Sequence, residues 1–319
     1  MPLVTSKQML LDAQAGGYGV GAFNANNMEC VQAVIETAEE EQSPVILQVS
    51  QGAIAYAGLE FATQLVKTAA ELATVPVVLH LDHGTDFYQN VRCLRAGFTS
   101  LMYDGSASQL EENIKTTAKI TEIAHSCGIP VEAELGKIPK IEDNLSEEQV
   151  AALYADPNQA EQFVERTGLD SLAAAIGSVH GMKQSIQPLN IERLDQIREK
   201  TGIPIVLHGA SGVLISRESA AEKGVKLRDC EGTIEDAIKH GVSKINVATE
   251  VSMAFLRGMR EAFEKDPGQK DMRKIILPGK NAVKETVRSY IRLFGSSGKA
   301  ARNGEQKSGL TASAIKHSE

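Results

Sequence analysis

Three histidines each stand just beyond a short apolar run: His83 after VPVVLHLD, His180 after SLAAAIGSV, and His208 near the end of IPIVLHG. A neutral imidazole presents one lone pair to a metal. Three such donors with one position left open is the ligand set of a catalytic rather than a structural zinc. A divalent ion so held takes the carbonyl and hydroxyl oxygens of a substrate and, as a Lewis acid, stabilises an enediolate.

The neighbouring residues fit that chemistry. Asp82 directly precedes His83. Successive strand residues point to opposite faces, so Asp82 reads as a proton donor and acceptor beside the metal rather than a fourth ligand. Asp104 and Glu134 offer carboxylates for a second cation or an alternate metal position, or else hydrogen bonds to the histidines. HGMK (180–183) and HGASG (208–212) put glycines directly after two of the histidines. Their N–H groups, the hydroxyls of Ser211 and Thr249 and the charge of Lys183 form a nest for an anion such as phosphate. His80 lies inside its run and suits packing or support of a ligand. His125, His240 and His317 fall on helical stretches or the tail.

Such a constellation needs a scaffold that delivers residues from distant segments to one rim. Eight β-like runs occur, at 19–24, 44–50, 75–82, 100–105, 129–135, 171–177, 203–209 and 244–249, each followed by a helical or mixed stretch such as MECVQAVIETAEEEQ (28–42). Alternation repeated eight times predicts a single-domain (β/α)8 TIM barrel over residues 1–302, with a polar, disordered tail over 303–319. In that fold the strand ends present Asn24, Ser50, Asp82, Asp104, Glu134, Asn246 and Thr249 to one face. A doubly wound sheet would call for a Gly-rich loop after the first strand, and GAFNANN is not one. The helical stretch SKQMLLDAQAGG is expected to cap the barrel bottom, and the long segments 136–156 and 211–232 to act as lids.

Bulk properties narrow the function classes. The 319 residues carry a net charge of −8 and are 42% hydrophobic, which argues for a globular, soluble protein and against general nucleic-acid binding. The opening MPLVTSKQML lacks a signal pattern, and no apolar run is long enough for a bilayer. Cys30, Cys93, Cys127 and Cys230 form no CxxC pair, so free thiols, small core residues in a reducing cytoplasm, are expected. A Schiff-base mechanism would need a lysine inside the barrel. Lys244 stands at a strand start, and Lys137 and Lys183 in loops. A metal-dependent sugar epimerase also needs an enediolate, and a barrel that has lost catalysis is the non-enzymatic alternative. The asymmetric three-histidine set with Asp82 favours neither.

Taken in order, HLDHG, VEAELG, AIGSVHG, LHGASG, KINVAT and FGSSGKA resemble the class II, metal-dependent ketose-bisphosphate aldolases, from about residue 1 to 302. The resemblance implies a zinc-dependent carbon–carbon lyase in sugar metabolism, usually a homodimer or homotetramer. It would cleave a ketose phosphate, by default fructose 1,6-bisphosphate, into dihydroxyacetone phosphate and an aldehyde, glyceraldehyde 3-phosphate. It implies His83, His180 and His208 as zinc ligands and Asp82 as the acid/base at the C4 hydroxyl. Asp104 and Glu134 match a second or alternate cation site. Gly181, Gly209, Ala210, Ser211, Asn246 and Thr249 match positions around dihydroxyacetone phosphate, and Glu142 or Glu148 would move the C3 proton. The departures lie in Asn246-Val247-Ala248-Thr249-Glu250-Val251-Ser252. Ala248 replaces an aspartate, as in tagatose-type members. Ser252 replaces an arginine expected to grip the distal phosphate, which opens the alternative of an unphosphorylated aldehyde. Pro139-Lys140 stands where many relatives have Gly-Gly.

Overall fold

The computed structural model describes residues 3–181 and 188–300. Its strands are β1 (Val20–Asn24), β2 (Val45–Ser50), β3 (Val77–Asp82), β4 (Leu101–Tyr103), β5 (Val131–Leu135), β6 (Ser171–Ala174), β7 (Ile205–Leu207) and β8 (Val242–Val247). All pair in parallel with their sequence neighbours, and β8 pairs with β1, Val20 opposite Lys244 and Phe23 opposite Val247. Bridges His80–Ser100 and Gly84–Tyr103 join β3 to β4. The sheet is therefore a closed (β/α)8 TIM barrel, with each predicted run on one of its strands.

Both faces of these strands are covered, which is why they read as apolar runs rather than alternating ones. Outward strand side chains such as Phe23, Leu47, Leu79 and Leu172 pack against helix residues such as Val34, Val66, Phe163, Leu194 and Val287, forming the large core between strands and helices. The inner face changes character along the barrel axis. At the bottom, the helix Ser6–Gly16 lays Met9, Leu10 and Ala13 against Val20, Ile46 and Val78, plugging the barrel as expected. Further up, strand pairs two residues apart carry polar groups on one face: His80 and Asp82, Glu132 and Glu134, Lys244 and Asn246. All six are at least 90% buried.

The long connections are more ordered than their lengths suggest. Segment 136–156 contains a 3-10 turn, Ile141–Asp143, and a short helix, Glu147–Ala151, closed by a capping box between Ser146 and Gln149. Segment 211–232 holds the helix Arg217–Glu222, and its end, Glu231–Gly232, pairs antiparallel with Leu189–Asn190. The tail 303–319 lies outside the described residues. Cys30 and Cys93 are buried, but Cys127 is exposed and Cys230 half-buried, so only the first two are the core residues expected.

Candidate active site

β3 ends at Asp82, and His83 then adopts a left-handed backbone with φ of 49°. A non-glycine residue rarely sits there, and the cost is tolerated where the surroundings over-determine it. The twist cancels the alternation that would have sent Asp82 and His83 to opposite sides, and both face the barrel mouth. Gly84 follows, and the Asp104 N–H donates to its carbonyl at 2.9 Å, which sets Asp104 beside His83. His83 Nδ1 meets Asp104 Oδ2 at 2.8 Å, while Asp104 Oδ1 accepts from the Ser106 N–H and hydroxyl.

His208 follows β7 directly. Its Nε2 lies 2.8 Å from Glu132 Oε1, and its Nδ1 lies 3.1 Å from His83 Nε2. Asn246 Nδ2 also approaches His208 Nε2, but donates instead to Asp82 Oδ1 at 3.3 Å, since the Glu132 carboxylate takes the Nε2 proton. Gly209, with φ of 62°, lets the backbone after β7 press against the loop after β6. A Cβ there would lie 2.9 Å from the Val179 carbonyl carbon and oxygen. His180 is six residues beyond β6 rather than at its end. Its N–H donates to the Pro139 carbonyl at 2.9 Å, so segment 136–156 pins the third histidine instead of swinging free. The His83 and His180 ring centroids are 4.9 Å apart, and those of His83 and His208 are 4.7 Å apart.

The donor atoms of His83, Glu134, His180 and His208 all lie within 4.8 Å of one another. Two nitrogens bound to one tetrahedral zinc at about 2.0–2.1 Å stand about 3.3 Å apart. The spacing of His83 Nε2 and His208 Nδ1 is close to that. Each of these two rings has its far nitrogen held by a carboxylate, the arrangement that orients metal-bound imidazoles. Glu134 Oε2 is buried without a hydrogen-bond partner. An orphaned carboxylate oxygen beside three convergent imidazoles fits a divalent cation. Glu134 thus joins the histidines, whereas Asp104 stands behind His83 and is committed to it and to Ser106.

The electrostatics show how tightly these groups are coupled. Burial pulls the His83 imidazolium down, but Asp82, Asp104 and Glu134 outweigh burial and lift it to about 9. Burial and the His83 charge push His180 down to about 4, and burial with His83 and Lys244 pushes His208 well below the imidazole range. Burial, then the Asp104 charge, raises Glu134 to about 8. Burial acts to raise Asp104, yet the bonds from His83 and Ser106 hold it well below the carboxylate range. Without an ion, His83 as imidazolium donates its Nε2 proton to His208 Nδ1. An ion would displace that proton.

A cavity of about 670 Å³ opens over this cluster, lined by Asp104, Ser106, Glu134, Lys137, Lys140 and Glu142 among others. Glu142 reaches it from the 3-10 turn; Glu148, on the following helix, does not and instead accepts from Ser146. A second cavity of about 460 Å³ runs past Ser50 to Asn26, Tyr56, Ser252 and Phe255. Asn24 is buried, its Oδ1 accepting from Gln48 Nε2 at 2.7 Å. Ala210, Ser211 and Asn246 are buried near the mouth, and Thr249 opens the helix Thr249–Lys265 after Ala248. Gly181 lines the first cavity, while Lys183 lies outside the described residues.

Sequence reasoning missed two features. Lys244 is not at an open strand start: it is 1% exposed inside the barrel, with Nζ 2.8 Å from Glu132 Oε2. Glu132 itself drew no notice, although its place two residues before Glu134 on one strand face could have flagged it. His80 gives Nδ1 to Ser100 and stands by Lys244, so it supports the site from below. His125 and His240 pair with Asp170 and Asp195, away from the cluster.

Residues 4–299 match the family described as class II fructose-bisphosphate aldolase. The chain is 46% identical to the fructose-bisphosphate aldolase of Geobacillus stearothermophilus over 305 residues, 95% of this chain and all of that one. It is 44% identical to that of Thermus caldophilus, over 93% of this chain and all of that one. Among solved structures, the YdjI aldolase from Escherichia coli K12 superposes with a TM-score of 0.78 at 36% identity, covering 93% of this chain and 99% of that one.

Proposed function

The chain belongs to the class II fructose-bisphosphate aldolase family, metal-dependent carbon–carbon lyases, and we propose that His83, His180 and His208 hold its Zn²⁺ for reversible cleavage of a ketose phosphate. The first substrate is fructose 1,6-bisphosphate, giving dihydroxyacetone phosphate and glyceraldehyde 3-phosphate. The observation that carries this reading is the pair of facing nitrogens, His83 Nε2 and His208 Nδ1, at 3.1 Å, each ring locked from behind by a carboxylate. Bound Zn²⁺ supplies a Lewis acid for the negative charge left on the ketone fragment when the bond breaks.

The chain's own residues do the rest. Asp82, oriented by Asn246, takes the proton of the C4 hydroxyl as the bond breaks and returns it in the condensation direction. Glu142, from the cavity wall, carries the C3 proton, with Glu148 on the following helix as the alternative carrier. Backbone N–H groups at Gly181, Gly209, Ala210 and Ser211, the N-terminus of the helix at Ala248 and Thr249, Asn246 and Lys183 receive the dihydroxyacetone phosphate end. Asn24 and Ser50 face the aldehyde end. Glu134 and Asp104 serve an alternate position of the zinc, or a second divalent or monovalent cation. No helix among the described residues is long and apolar enough to cross a membrane. A cytoplasmic homodimer or homotetramer without nucleic-acid partners is the setting we propose, supported by the acidic net charge and the family resemblance.

The cavity past Ser50 favours a second reading. None of the residues lining it carries a positive charge, and Ser252 Oγ lies 3.5 Å from Asn26 Nδ2. A distal phosphate there would lack a charged partner, a loss of about 1.5–3 kcal/mol, so the aldehyde half would be unphosphorylated. Release of dihydroxyacetone phosphate from fructose 1,6-bisphosphate, tagatose 1,6-bisphosphate and fructose 1-phosphate, with and without chelator, tests both. Fast, chelator-sensitive turnover of a bisphosphate supports the first reading. Turnover of the monophosphate alone supports the second, and inactivity on all three directs attention to an epimerase or a sugar-acid phosphate.

A further inference from the structure

We infer that Lys244 and Glu132 form a buried clamp that positions His208 as a metal ligand, so that metal affinity is set partly from below the site. The inference rests on the metal-site reading above. Lys244 projects from β8 across the barrel interior to Glu132 on β5. Its Nζ lies 2.8 Å from Glu132 Oε2 and 3.1 Å from Oε1, and 3.2 Å from His80 Nε2. Lys244 is 1% exposed, Glu132 2% and His208 0%. Glu132 Oε1 then meets His208 Nε2 at 2.8 Å.

Each link has one sense. An ammonium has donors only, so both Glu132 oxygens accept from Lys244. A carboxylate pinned in that way accepts the His208 Nε2 proton, which leaves the Nδ1 lone pair turned to the other imidazoles. The chain of contacts continues downward through His80 Nδ1, Ser100 Oγ at 2.8 Å, and Ser6 Oγ a further 2.8 Å on, in the plugging helix. Two charges removed from water are a poor source of stability: apolar replacements of such pairs are often neutral or stabilising. The pair therefore has a better explanation in the ring orientation it imposes, which is how distant partners of a metal-bound histidine act. Nothing else among the described contacts of His208 holds Nε2 as closely.

The test compares wild type with Lys244→Met, Glu132→Gln and the double variant Lys244→Met/Glu132→Gln, using full-length protein. Zinc affinity is measured by competition with a chromogenic chelator. The visible absorption of the Co²⁺-loaded protein reports ligand geometry, and circular dichroism of the metal-free protein reports folding. The double variant matters most, because it buries no unpaired charge and so keeps the fold even if the single variants lose it. Zinc affinity is expected to fall roughly 10- to 100-fold, with an altered Co²⁺ spectrum. A folded double variant with wild-type zinc affinity and Co²⁺ spectrum would overturn the clamp. His180→Ala serves as the control on the underlying reading: if wild type and His180→Ala bind zinc equally, the three-histidine site itself fails, independently of the clamp.

Discussion

The two ends of this barrel interior are built by opposite rules. The bottom is an apolar plug, where Met9, Leu10 and Ala13 of the first helix meet Val20, Ile46 and Val78. The mouth gathers three imidazoles and the carboxylates of Asp82, Asp104 and Glu134, with one residue in a strained backbone conformation. Packing at the bottom is self-sufficient, whereas the mouth leaves Glu134 Oε2 and Asn246 Oδ1 buried without a hydrogen-bond partner. The contrast teaches that stability and function are separable here along the barrel axis, and substitutions at the two ends should therefore fail in different ways.

The largest effect is expected at the mouth. Replacing His208 by alanine should remove zinc and lower turnover roughly a thousandfold or more, because a metal Lewis acid supplies several kcal/mol at the transition state. Metal analysis and steady-state kinetics check this, and an active, zinc-replete His208→Ala would break the comparison. Asp82→Asn comes next. It should keep zinc but lose roughly 10²- to 10⁴-fold in kcat, as expected for a positioned proton carrier.

At the bottom the signature reverses. Leu10, 1% exposed, should cost about 2–5 kcal/mol of stability when cut to alanine, with zinc affinity unchanged. Thermal or denaturant unfolding together with chelator competition measures both quantities. If Leu10→Ala weakened zinc binding as well, the two ends would be coupled more strongly than the plug suggests.

The smallest effect sharpens the same contrast through pH. Zinc and a proton compete for His83, whose imidazolium persists up to about 9 in the absence of an ion. Below that value the His83 proton must leave before zinc binds, and below about 8 the Glu134 proton as well, so apparent affinity should fall about tenfold per unit from pH 9 and more steeply below 8. Above about 9 this group adds no further dependence. His180, at about 4, contributes nothing in that range. Calorimetry in buffers of different ionisation enthalpy counts the released proton, and a pH-independent affinity between 7 and 9 would contradict the assignment.

Much of this was legible in the chain itself. The eight apolar runs and the helical stretches between them are written in residue order, since burial of both strand faces demands them and local periodicity sets the helices. The three histidines, Asp82 and Glu134 were visible because chemistry restricts residue type and because barrel strands deliver their ends to one rim. Tertiary structure decided what depends on crossing the barrel or bending the chain. The left-handed turn at His83, which puts Asp82 and His83 on the same side, is imposed by β4 and the residues after it. Asp104 came to stand against His83 Nδ1 because its N–H bonds to the Gly84 carbonyl and Ser106 holds its other oxygen. Glu142 was distinguished from Glu148 by the path of one loop, and Lys244 was turned from a residue at a strand start into a partner of Glu132 by the closure of β8 onto β1. Sequence records which groups are present and their local spacing; only closure of the sheet fixes which of them meet across its interior.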